Sequence, residues 1–324
     1  AASNFSLNLK PEESDNFEGG FTLSFDDVLS QGDAVRVVTR SGSGPDLPGV
    51  EKFAADAGDT ARMAELATGS DVVYNCVNPP YHRWATDWPP VAAALLGAAE
   101  SSGAVLVTTA NLYGYGHVDR RITEDMPLNG GYVKADVRNR MWLDALAAHE
   151  AGRVRVTEAR GADYVGPGAE SHLGERTLPK VLAGKKAQVM RSLDTRHTWT
   201  YTEDMAMTLV ALGADERAWG RPWHVPSALE MSQREALTEL ARMAGAPQPR
   251  LSEYSPMLIR SLGLFSPLMR ELPDVAYQMQ DDFLMDSSAA QRELGLVPTP
   301  AQDVLAAHLA AYTASSGAHA RDAA

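Results

Sequence analysis

Residues 103–116, with the sequence GAVLVTTANLYGYG, constrain the fold more than any other part of the chain. Their first half, residues 104–107, is a short apolar run typical of a strand buried on both faces. The second half changes abruptly to hydroxyl, amide, tyrosine and glycine residues. In an open parallel sheet, the carboxyl ends of the strands form the crevice where ligands bind. We therefore predict that Thr109 lies at the rim of an active site.

Predicted strands and helices alternate around this stretch. The predicted strands are residues 34–39, 50–54, 71–77, 104–107 and 154–159. The predicted helices between them are residues 60–67, 91–101 and 134–150, and the segment NPPYHRWATDWPP is predicted to be a loop. This spacing favours right-handed crossovers between parallel strands. The sequence therefore predicts an α/β fold with a doubly wound parallel sheet.

The second half of the chain contains three recognisable helix ends. A strand from Arg196 is followed by a helix that we expect Thr202 or Asp204 to cap. Ser232, with Glu235 three residues later, is typical of the start of an amphipathic helix. Gly295 follows residues 287–294 as a typical helix end. Further helices are predicted for residues 258–264, 268–280 and 301–312.

Composition excludes several functions. The chain has 324 residues, with 29 Lys and Arg against 42 Asp and Glu, a formal net charge of −13. This charge repels phosphate backbones and anionic lipids, so we expect neither nucleic-acid nor membrane partners. One cysteine, Cys76, and a first segment without signal-peptide features predict a cytoplasmic protein. The histidines lack the spacing of common metal ligands, so no metal site is predicted.

Four motifs follow one another between residues 34 and 312: TTANLYG, RGADYVGPG, HTWTYTEDMAMTLVAL and LGLVPTP. In this order they resemble motifs of the extended short-chain dehydrogenases/reductases, also called the NAD-dependent epimerase/dehydratase family. The resemblance implies a Rossmann-like dinucleotide-binding domain formed by residues 1–163 and 198–226. It also implies a smaller, mostly helical substrate-binding lobe formed by residues 164–197 and 227–324.

The resemblance implies catalytic roles for three residues. Thr109 matches the family's serine or threonine that hydrogen-bonds the substrate oxygen. The family also uses Tyr-x-x-x-Lys, in which lysine lowers the pKa of a tyrosine on the same helix face. Here Tyr132 is followed four residues later by Asp136, whereas Lys134 is only two residues away. We predict that Tyr132 or a neighbouring tyrosine supplies a proton and Lys134 a positive charge; alternatively, Lys134 and Arg138 occupy the two family positions.

The family's glycine-rich turn is expected roughly twenty residues before the strand at 34–39. That window contains the adjacent Gly19 and Gly20, close to Glu18, Asp26 and Asp27. Two interpretations remain open. The glycines bind a dinucleotide, although the nearby acids oppose its phosphate charge, or they form a hairpin turn between two phenylalanine-bearing strands.

Three other residues match cofactor positions of the family. Arg40 falls where the adenosine ribose is expected, and a cation there favours the 2′-phosphate of NADP over NAD. Asp56 resembles a residue that contacts adenine, although aspartate also caps turns. Asn78 follows the third predicted strand, where the family's loop covers the cofactor. We therefore predict NADP or NAD as cofactor, with NADP preferred.

Seven residues are predicted to contact the substrate. Two belong to an aromatic cluster after the third strand, whose rings suit a flat apolar molecule, and one follows Thr109 closely. The resemblance implies the other four, two of them at the start of the substrate lobe and two just before the returning strand. They are Tyr81, Trp84, Tyr113, Arg160, Asp163, Arg196 and His197.

Three hypotheses for function follow. The first is an NAD(P)-dependent oxidoreductase or epimerase acting on a hydroxyl or carbonyl group of a small metabolite. The second is a non-redox isomerase, cyclase or lyase that has lost the dinucleotide, and the third is a catalytically silent ligand-binding protein. The unusual segment around Gly19 and the departure at Asp136 motivate the last two. Family members pair through two helices, so residues 91–101 and 134–150 imply a homodimer.

Overall fold

A computed structural model describes residues 4–8, 34–169, 171–174, 176–190, 192–255 and 274–322. Gly19 and Gly20, and the predicted helix at 258–264, lie outside these residues. The main sheet contains seven strands, β1 (Asn4–Asn8), β2 (Ala34–Thr39), β3 (Val50–Ala54), β4 (Val72–Asn75), β5 (Val105–Asn111), β6 (Arg155–Gly161) and β10 (Pro222–His224).

The strand order is β3-β2-β1-β4-β5-β6-β10, and every neighbouring pair in this sheet is parallel. The order reverses between β1 and β4, which is the point where ligands bind in doubly wound sheets. The prediction of a doubly wound parallel α/β sheet is therefore confirmed. β5 lies between β4 and β6, so its carboxyl end opens near the middle of the crevice.

The described residues form eight α-helices: α1 (Thr60–Ala67), α2 (Trp84–Ser102), α3 (Val133–Glu150), α4 (Leu178–Leu182), α5 (Thr202–Ala214), α6 (Gln233–Met243), α7 (Ser288–Leu294) and α8 (Ala301–Asp322). Helices α1, α2 and α3 cover one face of the main sheet, where their apolar side chains form one core with Val73, Leu106 and Val156. Helix α5 covers the other face, against Val107 and Ala159. Both faces of the sheet are thus buried, as continuous apolar strands require.

Helix α2 begins earlier than the sequence indicates. Residues 84–90 were predicted to be loop because two prolines follow Trp88, but they form the first two turns of α2, with Pro89 and Pro90 inside the helix. Proline removes a backbone donor and usually interrupts a helix. Here Trp84 and Trp88, four residues apart on one helix face, are both almost fully buried. Burial of two indoles outweighs the lost hydrogen bonds.

The second half of the chain adds two small sheets. The first has the order β11 (Leu229–Ser232), β9 (Arg196–Tyr201), β7 (Asp163–Val165), and the second pairs β12 (Arg250–Glu253) with β8 (Lys186–Val189). Their shared core contains Leu173, Trp199, Leu237 and residues of α8. The predicted helix at 268–280 is described only at its end, where residues Ala276–Met279 form a single 3₁₀ turn. Within the described chain, no helix combines the length and hydropathy needed to span a membrane.

The helix ends test the capping predictions. Ser232 and Glu235 form the complete reciprocal capping box at the start of α6, and Gly295 ends α7 in the left-handed conformation with φ 70°. The predicted cap at Thr202 or Asp204 is wrong. Tyr201 precedes α5 without a side-chain cap, and the Asp204 carboxylate instead accepts hydrogen bonds from the backbone N–H and hydroxyl of Thr299. Asp204 therefore joins α5 to the segment before α8.

Candidate active site

Thr109 lies near the carboxyl end of β5 and is half-buried. Its hydroxyl donates to the Sγ of Cys76 at 3.5 Å, and its carbonyl oxygen accepts from Nη1 of Arg138 at 3.3 Å. Burial raises the pKa of the Cys76 thiol to about 12. Cys76 therefore stays protonated at neutral pH and is a neighbour of Thr109 rather than a nucleophile.

The amino end of α3 lies above this strand end. Tyr132 is the residue before α3, and its hydroxyl donates to the carbonyl oxygen of Tyr113 at 3.4 Å. The same hydroxyl lies 2.9 Å from the hydroxyl of Tyr277, a residue of the 3₁₀ turn in the second half of the chain. Asp136 accepts the backbone N–H of Gly131 at 3.2 Å. Asp136 thus stabilises the chain segment that leads into α3.

Lys134 and Arg138 turn inward from α3. Lys134 is only 2% exposed, and its ammonium lies 4.0 Å from the centroid of the Tyr81 ring. The Arg138 guanidinium lies 4.6 Å from the ring centroids of both Trp84 and Trp88. Cations over aromatic faces are attracted by the ring quadrupole, most strongly where water is excluded. Lys134 and Arg138 are therefore both held against aromatic rings, and the cluster of Tyr81, Trp84 and Trp88 around them is called the aromatic box below.

The aromatic residues predicted to contact substrate belong to the aromatic box or adjoin it. The hydroxyls of Tyr81 and Tyr113 lie 3.2 Å apart, and the indole N–H of Trp84 donates to the carbonyl of Pro79 at 3.0 Å. Tyr81, Trp84 and Tyr113 are all buried. The structure brings these residues together with Lys134 and Arg138 in the interior of the protein rather than at its surface.

Arg160, another predicted substrate residue, belongs to a buried polar chain at the end of β6. Its Nε donates to Glu158 at 2.6 Å and its Nη1 to the hydroxyl of Tyr115 at 2.6 Å. That hydroxyl lies 2.9 Å from Nε2 of His224, whose Nδ1 donates to the carbonyl of Asp286 at 2.7 Å. Burial lowers the pKa of His224 to about 3 and raises the pKa of Tyr115 to about 12, so both stay neutral.

Asp163 and His197 are neighbours across β7 and β9. Nε2 of His197 lies 3.1 Å from Oδ2 of Asp163, and Nε2 of His172 lies 3.8 Å from the same oxygen. Burial raises the pKa of Asp163, but the two imidazoles outweigh it and the net pKa is lowered. Arg196 points to the other side of β9 and donates to the carbonyl of Glu230 at 3.1 Å.

Arg40 and Asp56, predicted to contact the adenosine half of a cofactor, follow the neighbouring strands β2 and β3. Arg40 directly follows β2, Asp56 lies two residues after β3, and both side chains are exposed. Asp56 accepts the backbone N–H of Gly58 at 2.9 Å, and Asn78 follows β4 across the switch point. A cation, a carboxylate and an amide after the carboxyl ends of β2, β3 and β4 can hydrogen-bond the sugar and base of a dinucleotide. These described residues therefore fit such a cofactor.

Solved structures similar to this chain include a dehydratase, an epimerase and a third enzyme. DesIV from Streptomyces venezuelae, a dTDP-glucose 4,6-dehydratase solved with NAD and TYD bound, is 19% identical, with a TM-score of 0.74 over 97% of this chain and 98% of its own. The epimerase Mth375 from Methanothermobacter thermautotrophicus is 15% identical, with a TM-score of 0.75 over 98% of this chain and 94% of its own. The chain has the fold of NAD-dependent epimerases and dehydratases.

WbmH from Bordetella bronchiseptica, solved in complex with NAD⁺, is a third similar structure, at 17% identity and a TM-score of 0.69 over 97% of this chain and 99% of its own. No protein-family model and no curated protein matches the sequence. At such identities the likeness concerns the backbone, so it confirms the fold expected from the four motifs and leaves the roles of individual side chains as predictions.

Sequence reasoning did not find every residue at this site. Tyr277 and His172 were not candidates, although they contact Tyr132 and face Asp163, respectively. Tyr277 is 145 positions from Tyr132, and no local pattern reports such a contact. For His172 a weak signal existed, because it follows the GPG turn by only a few residues.

Proposed function

We propose that this protein is an NAD-dependent oxidoreductase or epimerase that acts on a hydroxyl or carbonyl group of a small metabolite. The observation that carries the proposal is the position of Thr109 near the carboxyl end of β5, where its carbonyl oxygen accepts from Arg138 of α3. Tyr132 and Lys134 at the start of α3 are linked to each other through Tyr113 and Tyr81, and we propose that they act with the Thr109 hydroxyl. Enzymes that transfer hydride need this combination of an oxygen-binding group and a proton donor.

Arg40, Asp56 and Asn78 would hold the adenosine half of the cofactor, and Gly19 and Gly20 remain candidates for its phosphates. When bound, the nicotinamide supplies the hydride chemistry that no side chain provides. The exposed Arg40 favours NADP, whereas similar structures solved with NAD or NAD⁺ make NAD(H) the first cofactor to test. Comparing the affinities for NADH and NADPH decides between them.

Each catalytic side chain has one task in this proposal. The Thr109 hydroxyl orients the substrate oxygen, and the Tyr132 hydroxyl gives or takes its proton. Lys134, buried over Tyr81, contributes positive potential that favours a negatively charged oxygen. Asp163, which is 26% exposed and backed by His197 and His172, is the predicted substrate residue best placed to accept a hydroxyl hydrogen bond. Arg160, Arg196, Tyr81, Trp84 and Tyr113 remain predictions as substrate contacts.

A second function is favoured by one specific observation. Asp136 rather than a lysine lies four residues after Tyr132, so the family's usual acid–base pair is missing. This observation supports a non-redox isomerase, cyclase or lyase on the same scaffold, or a silent ligand-binding protein. Both alternatives retain the crevice and differ from the first proposal in the use of hydride.

One experiment separates these possibilities. Purified protein is titrated with NADH and NADPH while nicotinamide fluorescence and thermal unfolding are followed, and a panel of carbonyl compounds is then tested for turnover. Binding with turnover supports the oxidoreductase, turnover without binding supports the non-redox enzyme, and binding without turnover supports the silent protein.

Thr109→Ala then tests the residue on which the proposal depends. Loss of one hydrogen bond to a developing charge costs about 10²–10³-fold in kcat. Thr108→Ala is the matched control, because Thr108 is the preceding residue of β5 and faces the α2–α3 side of the sheet. Equal rates for Thr109→Ala and the control would remove Thr109 from the mechanism.

We also propose that two copies pair through α2 and α3. Val133 and Leu143 of α3 are each 50% exposed, and a cavity of about 490 Å³ between the helices is lined by Leu96, Val137 and Met141. Exposed apolar surface of this kind is typical of protein interfaces. Light scattering should give twice the mass of the chain, and Leu143→Glu should shift it toward the monomer; an unchanged monomeric mass for the wild type rejects the pairing.

A further inference from the structure

We propose that Tyr277, contributed by the second half of the chain, is a positioning residue that prepares Tyr132 for proton transfer in place of the missing helical lysine. The proposal rests on the proposed function, because it assigns Tyr132 the task of exchanging a proton with the substrate. It adds a residue outside the four motifs, and this residue belongs to the 3₁₀ turn at residues 276–279 rather than to α3.

The hydroxyl of Tyr132 has two oxygen neighbours. A carbonyl oxygen only accepts, so Tyr132 is the donor in the 3.4 Å contact with the carbonyl of Tyr113. In the shorter contact, 2.9 Å to the hydroxyl of Tyr277, either hydroxyl can donate while both are neutral. Once Tyr132 has lost its proton its oxygen only accepts, so Tyr277 then donates the hydrogen bond that stabilises the phenolate.

The charged groups on α3 are committed elsewhere. Asp136 accepts the backbone N–H of Gly131, and the Lys134 ammonium lies over the Tyr81 ring. The Arg138 guanidinium lies 4.6 Å from the ring centroids of Trp84 and Trp88. The hydroxyl that lies 2.9 Å from the Tyr132 hydroxyl comes from another part of the chain, and it offers a hydrogen bond where the family supplies a charge.

The surroundings of Tyr277 keep its own proton in place. Its ring contacts those of His117 and Phe283, and His117 in turn lies 3.2 Å from Asp281. Burial has the largest effect and raises the pKa of Tyr277, hydrogen bonds with Tyr132 and Gln278 lower it, and the negative charge of Asp163 has the smallest effect and raises it; the net pKa is raised. Tyr277 accordingly remains a donor while its neighbour changes protonation state.

The proton step balances without another reactant. The O–H bond of Tyr132 breaks, a new O–H bond forms on the substrate oxygen, and the electron pair stays on the Tyr132 oxygen as a phenolate. The hydroxyl of Tyr277 donates a hydrogen bond to that phenolate oxygen. Water returns a proton to Tyr132 afterwards, and the reverse reaction follows the same path.

Tyrosine ionisation gives a direct test that needs no substrate. Protein labelled with ¹³C at tyrosine Cζ is titrated with base by NMR, and the Tyr132 resonance is identified as the one missing from Tyr132→Phe. Tyr277→Phe should move the titration midpoint of Tyr132 to higher pH by about one to two units, since a hydrogen bond to a charged group is worth that much. Tyr254→Phe, which alters a tyrosine beside the two-stranded sheet, is the control.

Kinetics supply the second readout, using whichever carbonyl compound of the panel is turned over with NADH. Tyr277→Phe should lower kcat on the order of 10- to 100-fold with little change in KM, and should displace the basic limb of the pH profile upward. Tyr132→Phe/Tyr277→Phe should be no slower than Tyr132→Phe alone. Additive losses, or a Tyr132 midpoint in Tyr277→Phe equal to that in Tyr254→Phe, overturn the proposal.

The two proposals fail in different ways. If neither NADH nor NADPH binds, the proposed redox function fails, but the NMR titration still reports whether Tyr277 donates to Tyr132. If the dinucleotide binds and turnover occurs while Tyr132 titrates independently of Tyr277, the function stands and the role of Tyr277 falls.

Discussion

Replacing Arg160 by methionine tests whether this side chain serves the fold or the substrate. The sequence predicts a substrate contact, whereas the structure buries the guanidinium to 4% exposure between Glu158 and Tyr115. Methionine keeps the length of the aliphatic stem but removes the charge. The Glu158 carboxylate, itself 5% exposed, then loses its ion-pair partner.

The expected cost follows from these contacts. Two charge-assisted hydrogen bonds are lost, each worth about 1.5–3 kcal/mol. Removing one partner of a buried ion pair typically costs about 3–5 kcal/mol, because the remaining charge stays desolvated. We therefore expect Arg160→Met to lower the free energy of unfolding by about 3–5 kcal/mol. Glu158→Gln/Arg160→Met should recover part of this loss, since no bare charge remains.

Urea unfolding followed by circular dichroism measures this difference. The control is Arg242→Met, which breaks an exposed pair with Glu239 on α6 and should leave the midpoint close to that of the wild type. A stable Arg160→Met variant, indistinguishable from the control but unable to bind substrate, would refute the structural role and restore the one predicted from the sequence.

Three further predictions test other parts of the fold. Gly166→Ala should destabilise the protein strongly, because Gly166 has φ 124° and an added Cβ would lie 2.6 Å from Oγ1 of Thr202. The control Gly245→Ala, at φ 65° with open space around it, should cost only about 1–2 kcal/mol. Equal losses of stability for the two variants in thermal unfolding would contradict the steric argument. Ser232→Ala should lower the free energy of unfolding by about 1 kcal/mol in urea, because it removes half of the capping box; no loss would mean that Glu235 alone suffices. As the pH drops from about 6.5 toward about 3, the free energy of unfolding should fall by up to about 1.4 kcal/mol per pH unit. The reason is that burial depresses the pKa of His224 in the folded state, whereas the unfolded chain binds the proton freely. His224→Asn should flatten part of that slope in urea titrations at several pH values, and an unchanged slope would assign it to other groups.

The main sheet was predictable because its strands are short apolar runs between turn residues. The strands β2, β3, β4 and β6 were expected within two residues of their ends, because a strand buried on both faces needs no alternation and stands out from its surroundings. β5 was expected at its start but continues four residues beyond the predicted end, through the polar residues up to Asn111. The start of α2 was missed for the converse reason. Proline is a local signal, whereas the burial of Trp84 and Trp88 that overrides it depends on the sheet beneath.

Residues on the edge of the crevice were predictable, and their partners were not. Thr109 follows directly from a polar strand end, and Tyr132 from its position before α3. The contacts that define their chemistry, with Cys76 in one case and Tyr277 in the other, join residues 33 and 145 positions apart. Such pairs depend on the strand order and on the docking of the second half of the chain, which hydrophobic periodicity does not encode.

Helix α3 shows why the site departs from a simple motif. Both of its inward cations, Lys134 and Arg138, are held by aromatic rings, and its first-turn carboxylate, Asp136, stabilises the chain that enters the helix. The hydroxyl that lies 2.9 Å from the Tyr132 phenol comes instead from Tyr277, in the 3₁₀ turn at residues 276–279. In the role proposed for Tyr277, chemistry at the crevice depends on the packing of the second half of the chain against α3.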